Sequence, residues 1–113
     1  MMPTPLTDLA KVIRSKNSSP FELTLDIIVR RPADYEKLKA ARAITPELVA
    51  AIYGIPVYQL HDVIYFDPAH AIKVTLPRRT ASGSAGDADV YGAQQHAPLL
   101  GLAVDLDAAP GEG

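Results

Sequence analysis

Four consecutive polar residues, Arg14, Ser15, Lys16 and Asn17, are the part of this sequence best suited to bind an anion. They offer a guanidinium, a hydroxyl, an ammonium and an amide, and the guanidinium can hold a carboxylate or phosphate through two parallel hydrogen bonds. The segment follows an apolar run at residues 9–13 and precedes a proline, which predicts a turn or loop over 14–20. We interpret it as a substrate-binding turn, with an ordinary polar hairpin turn as the alternative.

A second group of hydrogen-bonding side chains, Tyr91, Gln94, Gln95 and His96, lies near the C-terminal end. These residues belong to a stretch, 78–98, of about 20 residues without helical or strand periodicity, and loops of that length are usually functional or disordered. Its first part, 80–88, is rich in glycine, serine and alanine and is typical of a flexible tether. We therefore expect the tether to deliver the 91–96 segment to a binding or assembly site.

Three side chains are candidates for catalytic proton transfer: His70, His96 and Lys16. Imidazole titrates near neutral pH, which suits a general acid or base. For His70 the alternative is a half-buried, hydrogen-bonded histidine beside Asp67. No motif for a metal or a cofactor is present, and we expect neither. The chain has no cysteine, which excludes disulfides, thiolate ligands and a cysteine nucleophile.

Composition describes a single globular domain over residues 1–113, with a core at about 6–106 and a frayed tail at 107–113. The formal net charge of −2 disfavours binding to nucleic acid. All 11 Lys and Arg residues lie at or before Arg79, whereas the residues after it carry only acidic charge. No apolar run approaches the roughly 20 residues that a membrane span needs, so we expect a cytoplasmic protein without a membrane partner.

Hydrophobic periodicity predicts the regular elements. Residues 21–29 place apolar side chains at every odd position, with Glu22, Thr24 and Asp26 between them, and predict a half-buried strand. A shorter strand is expected at 9–13. Pro32 suits the first turn of a helix. A second helix is expected between an N-cap at Thr45 and a stop at Gly54.

Three more strands are predicted in the second half of the chain. Residues 62–66 and 71–76 read as a hairpin that turns at 67–69, and residues 100–106 alternate again after the long loop. The order β-β-α-α-β-β-loop-β predicts an α+β sandwich, in which two helices cover one face of a mainly antiparallel sheet and a long loop precedes the last strand.

Three blocks together carry a family resemblance: LAKVIRSKNSSPFELTLDI, VIYFDPAHAIKVTLPR and GDADVYGAQQHAPLL. They resemble the domain of unknown function 4387, whose Ser-Lys-Asn motif is here Ser15-Lys16-Asn17, over about residues 6–106. A more distant similarity runs to the ferredoxin-like C-terminal domain of acyclic terpene utilisation protein A relatives. Arg14-Ser15 and Lys16-Asn17 correspond loosely to its Arg-Ser-Gly-Asp-Lys-Gly-Asn turn, without the glycines, and residues 69–71 correspond to its Leu-His-Ala segment.

The resemblance implies a ferredoxin-like fold and a small subunit that completes a site with a large partner of the acyclic terpene utilisation protein A class. The implied setting is the catabolism of a small carboxylic acid or acyl-CoA, with a hydro-lyase step as one reaction. Arg14 and Lys16 would then bind the acid group, and His70 or His96 would move a proton. The alternative is a non-catalytic, homo-oligomeric assembly or ligand-binding module. A complete enzyme acting alone is the least expected.

Overall fold

The computed structural model describes residues 3–19, 21–77 and 97–106, which form an α+β structure. Its strands are β1 (Thr4–Pro5), β2 (Ala10–Ser19), β3 (Glu22–Val29), β4 (Ile64–Phe66), β5 (Ala71–Pro77) and β6 (Ala103–Val104). Its helices are α1 (Leu6–Leu9), α2 (Pro32–Ala41) and α3 (Pro46–Tyr53). The predicted α+β class is confirmed, and no described helix is long and apolar enough to cross a membrane.

Four strands form the main sheet in the order β2-β3-β5-β4, with every neighbouring pair antiparallel, and β1 and β6 form a separate two-stranded sheet. The helical pair α2 and α3 lies in sequence between β3 and β4 and packs on one face of the main sheet. A single hydrophobic core separates the two layers. Its fully buried members include Leu25, Ile27, Tyr35, Leu38 and Ile72.

The alternating pattern of residues 21–29 forms β3, as predicted, because strand side chains point alternately to opposite faces. Leu23, Leu25, Ile27 and Val29 are all buried against the helices. Phe21 departs from the pattern: it precedes the strand and is 66% exposed.

Both main helices begin where the sequence predicts, and α3 also ends where it predicts. Pro32 occupies the first turn of α2, and Thr45 caps α3 by accepting a hydrogen bond from the Leu48 amide at 3.2 Å. Gly54 ends α3 with φ 65°, in the left-handed region that glycine enters at little cost. The predicted hairpin is also confirmed, since β4 and β5 pair and a short 3₁₀ turn, Asp67–Ala69, connects them.

The strand predicted at 9–13 is confirmed to within one residue, since α1 ends at Leu9 and β2 begins at Ala10. Two other predictions of local structure are wrong. Of the loop expected at 14–20, residues 14–19 form the second half of β2, because this polar edge strand finds backbone partners along the whole of β3. The last strand, expected at 100–106, is reduced to β6. A 3₁₀ turn over Ala97–Gly101 replaces its start and buries Leu99 in the core.

Candidate functional site

The outer face of the main sheet, which no described helix covers, carries a row of three charged residues. Arg14 of β2, Asp26 of β3 and Lys73 of β5 lie directly opposite one another in the antiparallel register. Adjacent strands are about 4.8 Å apart, so opposed side chains on one face can interact. Strand pairing therefore brings together three charges that are far apart in the sequence.

Asp26 is the centre of this row and is only 1% exposed. The Arg14 Nε donates a hydrogen bond to its Oδ2 at 3.1 Å. The Lys73 Nζ lies 3.7 Å from its Oδ1, which is an ion-pair distance but too long for a good hydrogen bond. Oδ1 is buried and has no hydrogen-bond partner among the described residues. One carboxylate oxygen is thus fully engaged and the other is not.

The cations around Asp26 face the solvent. The side chain of Arg14 is 55% exposed and that of Lys73 is 39% exposed. Lys16, in the next row of the same face, is exposed as well. We call Arg14, Lys16, Asp26 and Lys73 the sheet-face cluster. Three positive charges surround one negative charge, so the cluster attracts anions.

The cluster has a polar side and an apolar side. Lys16 lies opposite Thr24, whose hydroxyl oxygen is 3.5 Å from that of Thr75. On the other side the Lys73 Nζ lies 5.5 Å from the centre of the Phe66 ring, a cation–π contact. Phe66 is 43% exposed and its neighbour Ile64 is 56% exposed. A ligand or protein that covers this face therefore meets cations beside an apolar patch.

The Ser-Lys-Asn motif is divided between the two faces of the sheet. Arg14 and Lys16 share the outer face, whereas Ser15 and Asn17 lie opposite the core residues Leu25 and Leu23. Ser15 is only 6% exposed and Asn17 is half-buried. The four side chains do not converge on one ligand, because the side-chain period of a strand is two.

His70 lies on the helix side of the sheet and does not join the sheet-face cluster. Its backbone has φ 48°, in the left-handed region, and it ends the 3₁₀ turn before β5. Its ring centre is 5.2 Å from that of Tyr35, a fully buried residue of α2. This placement matches the alternative of a half-buried histidine near Asp67.

Beside His70, a hydrogen-bonded group joins α2 to the hairpin turn. Tyr35 donates its hydroxyl hydrogen to the Asp67 Oδ1 at 2.6 Å, and Lys39 donates to both carboxylate oxygens at 2.9 and 3.0 Å. These hydrogen bonds hold the pKa of Asp67 below its usual value and raise that of Lys39. Burial, followed by the bond to Asp67, raises the pKa of Tyr35. Since the Asp67 carboxylate is already engaged, we interpret this group as structural.

A cleft of about 580 Å³ lies where α2, α3 and β4 meet. It is lined by Lys39, Arg42, Ile44, Thr45, Pro46, Glu47, Asp62, Val63 and Tyr65. Its two cations are matched by two carboxylates, so the lining has no excess of either charge. The cleft therefore lacks the bias towards anions that the sheet-face cluster has.

Among the described histidines, His61 lies beside β5 at the position of Thr75, two residues along that strand from Lys73. Its Nε2 lies 2.9 Å from the Glu22 Oε2, and its backbone amide bonds to the carbonyl of Thr75. Glu22 and Asp26 share a face of β3 but are four residues apart, which is about 13 Å along a strand. The His61–Glu22 pair is thus too distant to contact a small molecule bound at Asp26.

Tyr91, Gln94, Gln95 and His96 lie outside the described residues, and their proposed roles stay predictions. Within the described ranges, no group of three His, Asp or Glu side chains is placed to hold a metal ion.

Asp26 and Lys73 are the members of the cluster that sequence reasoning missed. Both occupy polar positions in alternating strands, a signal that resembles an ordinary solvated face.

Fold and site together define this chain as a small α+β protein with a cationic sheet face built around a buried carboxylate. The model of the family described as a domain of unknown function (DUF4387) matches residues 6–103. The chain therefore belongs to the DUF4387 family, as its sequence blocks predicted. Comparisons with curated proteins and with solved structures found no match.

Proposed function

We propose that this protein binds a small carboxylate, free or as part of an acyl-CoA, and acts as the small subunit of a heteromeric catabolic enzyme. The observation that supports this is the sheet-face cluster, in which Arg14 and Lys73 flank the buried Asp26 and Lys16 lies in the next row, on a face that no described helix covers.

The engagement of Arg14 leaves donors for a ligand. Its Nε bonds to Asp26, which orients the guanidinium, while the two terminal nitrogens retain their N–H groups. A planar guanidinium held in this way matches a carboxylate through two parallel hydrogen bonds. The Lys73 and Lys16 ammonium groups add charge on either side, and the patch of Phe66 and Ile64 suits an acyl chain.

The shape of the site favours a subunit over a complete enzyme. Small-molecule sites are normally concave and bury most of the ligand, whereas a sheet face is open on one side. A second protein is needed to exclude water, and proton transfer would come from that protein, from His96 or from Lys16 of the cluster. The distant similarity to acyclic terpene utilisation protein A relatives suggests a large subunit of that class, and dehydration of a hydroxy acid or its thioester as the reaction.

The test is co-expression with a large subunit of that class, followed by co-purification and a hydro-lyase assay on short-chain hydroxy acids and their CoA esters. We expect a stable complex whose activity falls at least tenfold in the Arg14→Ala, Lys73→Ala double variant. Lys37→Ala, which removes an exposed cation of α2, is the matched control. Full activity of the large protein alone would refute the proposal.

A second candidate function, a homo-oligomeric assembly module, is favoured by the exposure of Phe66 and Ile64 on the same face. Light scattering of the Phe66→Ser, Ile64→Ser double variant tests it. Conversion of an oligomer to a monomer, combined with unchanged partner activity, would favour the assembly function over the subunit function.

A further inference from the structure

The Asp26 Oδ1 is a buried hydrogen-bond acceptor, and none of the described residues donates a hydrogen bond to it. Buried polar atoms in folded proteins nearly always have a hydrogen-bond partner, and an unpaired one costs free energy. The Lys73 Nζ lies 3.7 Å from Oδ1 and also contacts the Phe66 ring. The atom lies in the middle of a cluster that otherwise offers only donors.

A ligand that carries both an acceptor and a donor would complete this arrangement. We propose that the sheet-face cluster selects hydroxycarboxylates: the ligand carboxylate binds Arg14 and Lys73, and the adjacent hydroxyl donates to the Asp26 Oδ1. This inference rests on the proposed function and adds to it the atom that recognises the substrate hydroxyl. It assigns two roles to Asp26: its Oδ1 recognises the ligand hydroxyl, and its Oδ2 orients Arg14.

The positive charge of the cluster favours a hydroxyl over an ammonium group as the hydrogen-bond donor of the ligand. An amino acid would place its ammonium beside Arg14 and Lys73, with Lys16 in the next row. Like charges this close disfavour the charged form or its binding. A neutral hydroxyl supplies the missing hydrogen bond without that repulsion.

We expect access to Oδ1 to depend on Lys73. Its side chain is 39% exposed and has a long unbranched stem, so it can turn away from Asp26. A ligand carboxylate that draws the Lys73 ammonium outwards gives the ligand hydroxyl access to Oδ1, while the Arg14 Nε keeps its hydrogen bond to Oδ2. The backbone of the sheet does not have to move.

The experiment compares three acids that differ at one substituent: propionate, lactate and alanine. Each is titrated into the full chain labelled with ¹⁵N, and the amide shifts of Asp26, Thr24, Lys73 and Thr75 are followed. A hydrogen bond to an otherwise unpaired buried acceptor should make lactate bind at least about tenfold more tightly than propionate. Alanine should bind more weakly than lactate.

The Asp26→Asn variant separates recognition of the hydroxyl from a structural role. It keeps the shape of the side chain but removes the negative charge, so propionate should bind as well as before or better. The Arg14 Nε–H holds the amide oxygen and leaves the NH2 group at the position of Oδ1, so lactate loses its hydrogen-bond acceptor and its advantage. A merely structural Asp26 would weaken both acids together. Lys37→Ala should leave every affinity unchanged.

Equal binding of lactate and propionate to the natural chain, or a preference that survives in Asp26→Asn, overturns this inference and leaves the proposed function standing. Absence of any carboxylate binding at these amides overturns both.

Discussion

Replacing Asp26 by valine should stabilise the fold while destroying the site. Asp26 is 1% exposed in the central strand β3, and its Oδ1 has no hydrogen-bond partner in the described structure. If the residue served stability alone, an unpaired buried oxygen would be a poor choice. Removing one partner of a fully buried ion pair is destabilising, but Arg14 and Lys73 are partly exposed and can be solvated after the replacement.

The magnitude follows from three contributions to the free energy of unfolding. Removing a buried acceptor without a donor regains about 1–3 kcal/mol. Losing the bond from Arg14, whose side chain is 55% exposed and can be solvated, costs about 0.2–1 kcal/mol. The higher strand propensity of valine adds up to about 1 kcal/mol. Asp26→Val should therefore be more stable by about 2 kcal/mol, within a range of about 0–4 kcal/mol.

Urea unfolding followed by circular dichroism measures this difference. An unchanged m-value shows that the variant and the natural chain expose the same amount of surface on unfolding. Thr24→Val is the matched control, since it places valine on the same strand and face without removing a charge; we expect a change within about 0.5 kcal/mol. A variant less stable than the natural chain by 1 kcal/mol or more, with the same m-value, would refute the reasoning. Asp26 would then be a structural ion-pair centre.

Three further outcomes are expected in the same assay. Leu38→Ala should cost about 2–5 kcal/mol, because Leu38 is fully buried between α2 and the sheet. Arg42→Gly should gain about 0.5–1 kcal/mol, because Arg42 ends α2 with φ 49°, where a side chain is strained. The folded-state pKa of Asp67 is lowered, so its contribution is present above about pH 4 and is lost as pH falls further. Tyr35→Phe should shrink that pH-dependent loss.

Each of these outcomes has a contrary result that identifies the faulty step. An effect of Leu38→Ala below 1 kcal/mol would contradict its place in the core. Destabilisation by Arg42→Gly would mean that the Arg42 side chain has a partner that outweighs the backbone strain. If falling pH destabilises Tyr35→Phe as much as it destabilises the natural chain, the Tyr35 hydroxyl does not lower the pKa of Asp67.

The regular elements of the second quarter of the chain were predictable because their signals are local. Pro32 and Pro46 suit the first turns of helices, Thr45 satisfies an amide within its own turn, and Gly54 adopts a backbone conformation that other residues avoid. The alternation of residues 21–29 predicted both a strand and its buried side. These choices involve residues a few positions apart, so the sequence alone determined them.

The segment 14–20 was predicted wrongly because its structure depends on a distant partner. Its polar residues have the composition of a turn, and only pairing with β3 makes them a strand. The same pairing separates Ser15 and Asn17 from Arg14 and Lys16. The sequence therefore identified Arg14 and Lys16 as members of the candidate site. It could not indicate that Ser15 and Asn17 face the core.

What the sequence by itself determined is the α+β class, the helical pair, the hairpin of β4 and β5, and membership of the DUF4387 family. Only the tertiary structure decided that Asp26 is buried and that Arg14 and Lys73 flank it. The physical reason is strand register: backbone hydrogen bonds between β2, β3 and β5 align residues that no local pattern connects. The alternation of apolar and polar residues in β3 showed that Asp26 faces away from the core. The pairing of β3 with β2 and β5 placed a cation on each side of it.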